Sequence, residues 1–84
     1  MQLVLYYRKR CPFCRKVLSA LEGMNLQVPM KELSEDPAYP EELQSIGGKT
    51  QVPCLVQIDA EGKKSALYES DDIIDWFKAK NTPL

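Results

Sequence analysis

The sequence contains no histidine, and this absence excludes several kinds of chemistry. Ser-His and Cys-His nucleophilic catalysis both depend on an imidazole base, and many zinc sites depend on imidazole ligands. The chain also lacks a strong charge of either sign, because its formal net charge is only −1. Without a strong positive field around the whole chain, we expect no nucleic-acid partner.

Long apolar runs are absent as well, and none approaches the roughly 20 residues of a transmembrane helix. In the opening stretch MQLVLYYRKR the apolar residues precede the basic ones, which is the reverse of a secretory signal peptide. We therefore expect no membrane partner and a cytoplasmic protein. The 84 residues, of which 44% are apolar and 27% charged, suit a single soluble domain over 1–84.

The three cysteines are too few, and odd in number, for a disulfide scaffold. Cys11 and Cys14 lie two residues apart with Pro12 between them. In a reducing compartment such a pair is more often catalytic or metal-binding than structural. Cations flank the pair on both sides: Arg8, Lys9, Arg10, Arg15 and Lys16. Cys54 stands alone, and we assign it no chemistry because a free cysteine in a strand commonly packs as a small hydrophobe.

The spacing of apolar residues and the positions of turn residues predict four strands and three helices. The strands are expected over 3–7, 26–33, 52–59 and 64–68. The helices are expected over 12–23, from Asp36-Pro37 to Gly47-Gly48, and from Ser70 to a stop at Asn81 and Pro83. Pro29 lacks a ladder donor, which predicts that the second strand lies at a sheet edge. The order β-α-β followed by β-β-α predicts an α/β fold around one four-stranded mixed sheet.

The first predicted helix begins at Pro12, which puts Cys11 at its N-terminal end. A thiolate there would meet unpaired backbone N–H groups and the positive end of the helix dipole, so Cys11 is the predicted nucleophile. Cys14, one turn further along, is the predicted resolving thiol for a mixed disulfide on Cys11. Two alternatives remain open: a zinc site, for which Cys54 is the only further thiol, and two structural cysteines facing a core.

These residues resemble the glutaredoxin family over essentially the whole chain. Cys11-Pro12-Phe13-Cys14 resembles the Cys-Pro-Tyr-Cys site of dithiol glutaredoxins. Val52-Pro53, after a Gly-Gly-Lys-Thr-Gln segment, resembles the segment whose proline is cis and faces the active cysteine. The resemblance implies a thioredoxin-like fold, and it implies that the backbone of Val52 pairs with glutathione as a short added strand.

The resemblance also implies a glutathione site. In the family, an acidic or hydroxyl residue at the start of the last helix holds the γ-glutamyl end of glutathione, and LYESDDI over 67–73 fills that place here. Arg8 matches a lysine that pairs with the glycine carboxylate, and Phe13 is either an aromatic wall or a core residue. Ser70 and Asp71 could equally act only as a helix cap and a dipole partner. The implied glutathione-binding residues are Arg8, Phe13, Gln51, Val52, Pro53, Glu69, Ser70 and Asp71.

One segment, Glu69-Ser70, departs from the glutaredoxin pattern and is similar to the N-terminal domain of glutathione transferases. Those enzymes use a large helical second domain to bind their electrophile. Because this sequence ends at Leu84, we do not expect the transferase reaction.

The predicted function is that of a glutathione-dependent thiol-disulfide oxidoreductase with Cys11 and Cys14 as catalytic residues. Glutathione is the expected co-substrate, glutathionylated or disulfide-containing proteins are the expected partners, and we expect a monomer without a metal. The resemblance implies one alternative, a [2Fe-2S] carrier in which Cys11 of two chains and two glutathiones hold the cluster. Pro12 disfavours that alternative because it stiffens the loop that would have to open around the cluster.

Overall fold

The computed structural model describes residues 2–81, which form four strands and three helices. The strands are β1 (Gln2–Tyr7), β2 (Met30–Glu32), β3 (Cys54–Ile58) and β4 (Lys64–Tyr68), and the helices are α1 (Pro12–Gly23), α2 (Ala38–Gly47) and α3 (Ser70–Asn81). The sheet order is β2-β1-β3-β4, with β1 parallel to β2 and antiparallel to β3. This four-stranded mixed sheet with three helices is the predicted fold, and it is confirmed as a thioredoxin-like fold.

The central strands are buried on both faces, because successive side chains of a strand point to opposite sides of the sheet. In β1, Leu5 packs with α1 and α3, whereas its neighbour Tyr6 packs on the side of α2. The first core cluster contains Leu5, Val17, Leu21, Leu55, Ile73, Ile74 and Phe77. The second contains Tyr6, Leu33, Leu43, Cys54 and Val56. Two cores on one sheet explain why the sequence of β1 is apolar without alternation.

The predicted second strand over 26–33 is wrong in length, because only Met30–Glu32 form β2. Pro29 has no N–H to donate, and its carbonyl, which accepts from the backbone N–H of Leu5 at 2.9 Å, is the first contact with β1. The prediction of its place was right, since β2 is an edge strand. The third strand is also shorter than predicted. It begins at Cys54, after a cis Val52-Pro53 peptide bond.

Helix boundaries differ from the expected ones by one or two residues. The Asp36 carboxylate accepts a hydrogen bond from the backbone N–H of Ala38 at 2.9 Å, so Asp36 lies before α2 rather than in it. Ser70 was expected as the N-cap of α3 but is its first helical residue, and the carbonyl of Glu69 accepts from the N–H of Ile73 at 3.0 Å. Pro83, expected to end this helix, lies outside the described residues.

Candidate functional site

Cys11 is the N-cap residue of α1, and the helix starts beyond it at Pro12. Proline is well suited to this first position because its missing N–H would have no intrahelical partner there. The Sγ of Cys11 accepts a hydrogen bond from the backbone N–H of Cys14 at 3.4 Å. Because Cys11 is only half-buried, its sulfur can be approached from solvent and is held toward the helix N-terminus at the same time.

Cys14 has the opposite environment, since it lies in the first turn of α1 and is completely buried. Its Sγ accepts a hydrogen bond from the backbone N–H of Arg8 at 3.5 Å. Burial raises the pKa of Cys14 to about 12, and the nearby Cys11 adds to the increase, whereas the hydrogen bond from Arg8 opposes it. Cys14 is therefore a protonated thiol at neutral pH. The two cysteines of the pair differ in exposure as their predicted roles require.

Three chain segments close around a cavity of about 360 Å³, which we call the Phe13 cavity. It is formed by the start of α1, by the loop before β3 and by the start of α3. Its lining is Phe13, Gln51, Val52, Pro53, Glu69, Ser70 and Asp71. These are seven of the eight residues that the sequence assigns to glutathione, and the eighth, Arg8, lines a separate groove. Their roles in binding stay predictions, but the structure brings them together.

Polar contacts tie the walls of the Phe13 cavity to one another. The Gln51 Nε2 amide donates to the Glu69 carboxylate at 3.1 Å, which links the loop before β3 to the start of α3. The Lys16 ammonium pairs with the Asp71 carboxylate and so links α1 to α3. Glu69 has a left-handed backbone with φ of 75°, a conformation that is unusual for a residue with a side chain. The two carboxylates at this wall suit a cationic ligand group.

Phe13 is exposed over 63% of its surface, so the alternative that it is a core residue is wrong. It is the second residue of α1 and presents its ring to the cavity, while Val17 and Leu21, further along the same helix, are buried beneath α3. An exposed aromatic ring offers apolar contact area to a ligand at little cost in conformational freedom.

A second cavity, which we call the basic groove, is lined in part by the loop that precedes Cys11. Its volume is about 430 Å³, and its lining is Arg8, Lys9, Arg10, Glu32 and Ser34. Glu32 as a residue is almost completely buried, and its carboxylate accepts from the Ser34 hydroxyl at 2.6 and 2.7 Å. Hydrogen bonds from Ser34 lower the pKa of Glu32, with a smaller contribution from Lys9, so this carboxylate stays charged.

The sequence analysis did not identify three residues of this region. Lys16 was noted only as a flanking cation, and its pairing with Asp71 spans 55 positions, so no local pattern signals it. The sequence pattern did not single out Glu32 and Ser34 either, because a polar residue at the end of a short edge strand is normally expected to face solvent. The structure instead buries Glu32 beside the basic loop that precedes Cys11.

Cys54 lies in the core on the α2 side of the sheet and is completely buried. Burial raises its pKa to about 11, with a smaller opposing contribution from the Tyr68 hydroxyl. It is therefore a neutral, packed thiol near neutral pH. Within residues 2–81, no three side chains of the metal-binding types His, Cys, Asp and Glu gather into a site. No helix in the same range has the length and apolarity needed to span a membrane.

Comparisons with known proteins give a family and a fold. Residues 5–83 match the model of the family described as glutathione S-transferase, N-terminal domain. A sequence search of curated proteins gives no significant match. Among solved structures, the chain resembles a glutathione S-transferase from the Antarctic clam Laternula elliptica, at 23% identity and a TM-score of 0.73, over 96% of this chain and 36% of that one.

Two further solved structures have higher identity. Glutathione transferase Omega 3C from Trametes versicolor is 26% identical, with a TM-score of 0.73 over 99% of this chain and 36% of that one. An epsilon-class glutathione S-transferase from the housefly, Musca domestica, is 26% identical, with a TM-score of 0.72 over 95% of this chain and 35% of that one. The chain thus spans about a third of the length of the structures it matches. All of these matches are to glutathione transferases, and the resemblance to glutaredoxins stays a prediction from the sequence.

Proposed function

Because the chain belongs to the glutathione S-transferase N-terminal domain family, we propose that it is a glutathione-dependent thiol-disulfide oxidoreductase. The observation that carries this proposal is the placement of the cysteine pair. Cys11 is an accessible N-cap thiol, and its Sγ accepts a hydrogen bond from the backbone N–H of Cys14, whose own side chain is buried. Accessible thiols at helix N-termini are the typical nucleophiles of disulfide exchange.

The Phe13 cavity supports glutathione as the co-substrate. At about 360 Å³ it falls within the size range of small-molecule sites. We propose that the Glu69 and Asp71 carboxylates bind the γ-glutamyl ammonium, and that backbone N–H groups at the start of α3 bind the neighbouring carboxylate. Val52 would pair with the cysteinyl backbone as an added strand, and Arg8 would bind the glycine carboxylate at the edge of the basic groove.

The proposed reaction balances with glutathione as the only reductant. The Cys11 thiolate attacks the glutathione sulfur of a mixed disulfide, which forms a Cys11-glutathione disulfide and releases the protein as its thiolate, which takes up a proton. The thiolate of a second glutathione then attacks the glutathione sulfur on Cys11. This step yields oxidised glutathione and restores Cys11. One disulfide is consumed and one is formed in each turnover, so Cys14 is not needed for this route.

Cys14 would act only when the substrate is a protein disulfide that stays attached to Cys11. It would then attack the Sγ of Cys11 and release the protein thiol, leaving a Cys11-Cys14 disulfide that glutathione reduces. Once Cys11 is in a disulfide, its charge no longer contributes to the raised pKa of Cys14, but burial, the largest cause, remains. We therefore propose that resolution by glutathione is the faster route near neutral pH.

An assay of two reactions tests the proposal. The protein is given reduced glutathione with either a glutathionylated protein or 1-chloro-2,4-dinitrobenzene, and the formation of oxidised glutathione or of the conjugate is followed. We expect disulfide reduction to exceed the uncatalysed rate and conjugation to stay at it. Conjugation without disulfide reduction would show that this domain takes part in a transferase reaction instead.

We also propose that the protein is a monomer in the cytoplasm, where the glutathione pool keeps such thiols reduced.

A further inference from the structure

The charges of this chain are unevenly divided along the sequence. Residues 8–16 contain five of the eleven cations and no acidic residue, so the rest of the chain carries six cations against twelve acidic residues. The five cations surround the cysteine pair. An acidic protein with one basic region at its reactive thiol presents a local field to approaching substrates that its net charge does not reveal.

Some of these cations already have partners. Lys16 pairs with Asp71 at the Phe13 cavity, and Lys9 contributes to the stabilisation of the Glu32 carboxylate. The Arg15 guanidinium donates to the backbone carbonyl of Lys9 at 3.3 Å, which fixes it against the loop without neutralising it. Within the described part of the chain, no carboxylate forms an ion pair with Arg10 or Arg15. Among residues 2–81, no ion pair therefore neutralises the charges of Arg10 and Arg15.

The basic groove itself has a net positive charge. Arg8, Lys9 and Arg10 line it together with one carboxylate, that of Glu32, which leaves a net charge of two positive units, or of one when Arg8 binds the glycine carboxylate of glutathione. All three cations are exposed. The groove shares its loop with the thiols, because Arg10 directly precedes Cys11 and the backbone of Arg8 contacts Cys14 Sγ. The groove and the cysteine pair are therefore held by the same short loop.

The two cavities lie on opposite sides of Cys11 along the chain. Phe13, which lines the Phe13 cavity, follows Cys11 in the sequence. The three cations that line the basic groove all precede Cys11. If glutathione occupies the Phe13 cavity, the protein part of the mixed disulfide lies outside that cavity, and the cationic loop before Cys11 offers it a second surface. Resting on the function proposed above, we infer that the basic groove binds acidic residues that flank the glutathionylated cysteine of a protein substrate.

A peptide fits these observations better than a nucleic acid does. Nucleic-acid sites are strongly cationic over an extended surface, whereas this groove contains a carboxylate and the rest of the domain is acidic. An acidic peptide segment needs only a few cations near the thiol. Its carboxylates can each meet an Arg guanidinium in the two-pronged geometry that arginine favours.

The test uses three glutathionylated peptides that are identical except for the two residues on each side of the cysteine, which are Asp, Gln or Lys. At low salt we expect the Asp peptide to be reduced with a kcat/KM about tenfold above that of the Gln peptide, at the lower end of the range for electrostatic steering. The Lys peptide should be the slowest. The preference should shrink toward one at about 1 M salt, where the screening length is only about 3 Å.

Two double variants localise the effect. The double variant Lys9→Gln with Arg10→Gln removes two charges from the groove. The double variant Lys63→Gln with Lys64→Gln removes two exposed charges at the start of β4, at the other end of the sheet from the basic loop. We expect the first double variant to lose most of the preference for Asp while reducing the Gln peptide at the original rate. The second double variant should keep the preference, although its net charge changes equally.

The outcomes separate this inference from the proposed function. If all three peptides are reduced at one rate, or if both double variants lose the preference equally, the groove does not select acidic substrates. If a single-stranded oligonucleotide binds and only the Lys9/Arg10 variant weakens that binding while the peptides do not differ, the groove is a nucleic-acid site and the inference is wrong. If no peptide is reduced, and a mixed disulfide between glutathione and a small uncharged thiol is not reduced either, the proposed function fails and the inference fails with it.

Discussion

The backbone N–H of Arg8 points at the Sγ of Cys14, 3.5 Å away, across the loop that connects β1 to α1. This contact joins a residue of the basic groove to the buried thiol of the cysteine pair. By itself the hydrogen bond favours the thiolate, but burial opposes it and is the larger effect, so the pKa of Cys14 is raised to about 12. The pair therefore combines one accessible sulfur with one protected sulfur, and the first two predictions follow from this difference.

Alkylation should distinguish the three cysteines. In the folded protein at pH 7.5 we expect iodoacetamide to label Cys11 and to leave Cys14 and Cys54 unlabelled, because both are buried and protonated. Peptide mapping by mass spectrometry gives the extent at each site, and labelling in denaturant provides the control in which all three react. Equal labelling of Cys11 and Cys14 in the folded protein would contradict the described burial.

Stability should fall at alkaline pH because of the two buried thiols. Their pKa values are raised from 9.0 to about 12 for Cys14 and about 11 for Cys54, so between these limits the unfolded chain releases protons that the folded chain keeps. The stabilisation is thus fully present below pH 9 and is lost as the pH rises toward 11 to 12. Each thiol contributes at most about 1.4 kcal/mol per pH unit in this window.

Urea unfolding at pH 8, 9.5 and 10.5 measures how steeply the free energy of unfolding falls with pH, and Cys54→Ala is the informative variant. Removing the thiol lowers stability at all pH values by leaving a small cavity, but it should also flatten the decline above pH 9. A variant with an unchanged slope would show that other groups, such as lysines and tyrosines, cause the alkaline loss.

The ion pair between Lys16 and Asp71 should influence binding more than stability. Both side chains are largely exposed, so the pair itself adds little to the free energy of unfolding. If Asp71 binds the ammonium of glutathione, Asp71→Asn should raise the KM for glutathione about tenfold, as expected for one charge-assisted hydrogen bond. Lys16→Gln removes the competing cation and should lower that KM. Steady-state kinetics with both variants check the pair, and an increase in KM in both would mean that Lys16 takes part in binding.

Gly47 at the end of α2 is a position where a side chain does not fit. A Cβ atom there would lie 1.9 Å from the Tyr68 hydroxyl, which donates a hydrogen bond to the carbonyl of Lys49 at 2.9 Å. The ring cannot move without breaking this bond, so Gly47→Ala should destabilise the protein by about 1–3 kcal/mol. Gly23→Ala is the matched control, because nothing lies within 4 Å of its Cβ position at the end of α1. It should be neutral or stabilising in the same thermal unfolding experiment.

The sequence predicted the order of the elements because the signals for them are local. The Pro12 start of α1 and the Gly48 end of α2, where φ is 82°, depend only on neighbouring residues. The strand predicted over 26–33 was too long at its start because the sequence pattern does not show which backbone groups find a partner, and Pro29 offers only its carbonyl. The spatial order of the strands is a tertiary property, and the sequence analysis predicted only that β2 lies at the edge of the sheet.

The candidate site was predicted to a different extent. The grouping of Phe13, Gln51 and Asp71 around one cavity came from the resemblance, since residues this far apart have no common local pattern. The burial of Glu32 was not predicted, because it depends on a hydroxyl two residues later and on the loop before Cys11. Long-range contacts therefore account for most of what the sequence analysis missed.

The central claim is that Cys11 alone carries out glutathione-dependent deglutathionylation, and one measurement tests it most directly. The reduction of a glutathionylated protein is followed in the presence of glutathione, glutathione reductase and NADPH for the wild type, Cys14→Ser and Cys11→Ser. We predict that Cys14→Ser keeps most of the rate and accumulates a glutathione disulfide on Cys11, visible by mass spectrometry, while Cys11→Ser falls to the uncatalysed rate. Equal loss in both variants, or an unchanged rate in Cys11→Ser, would contradict the account.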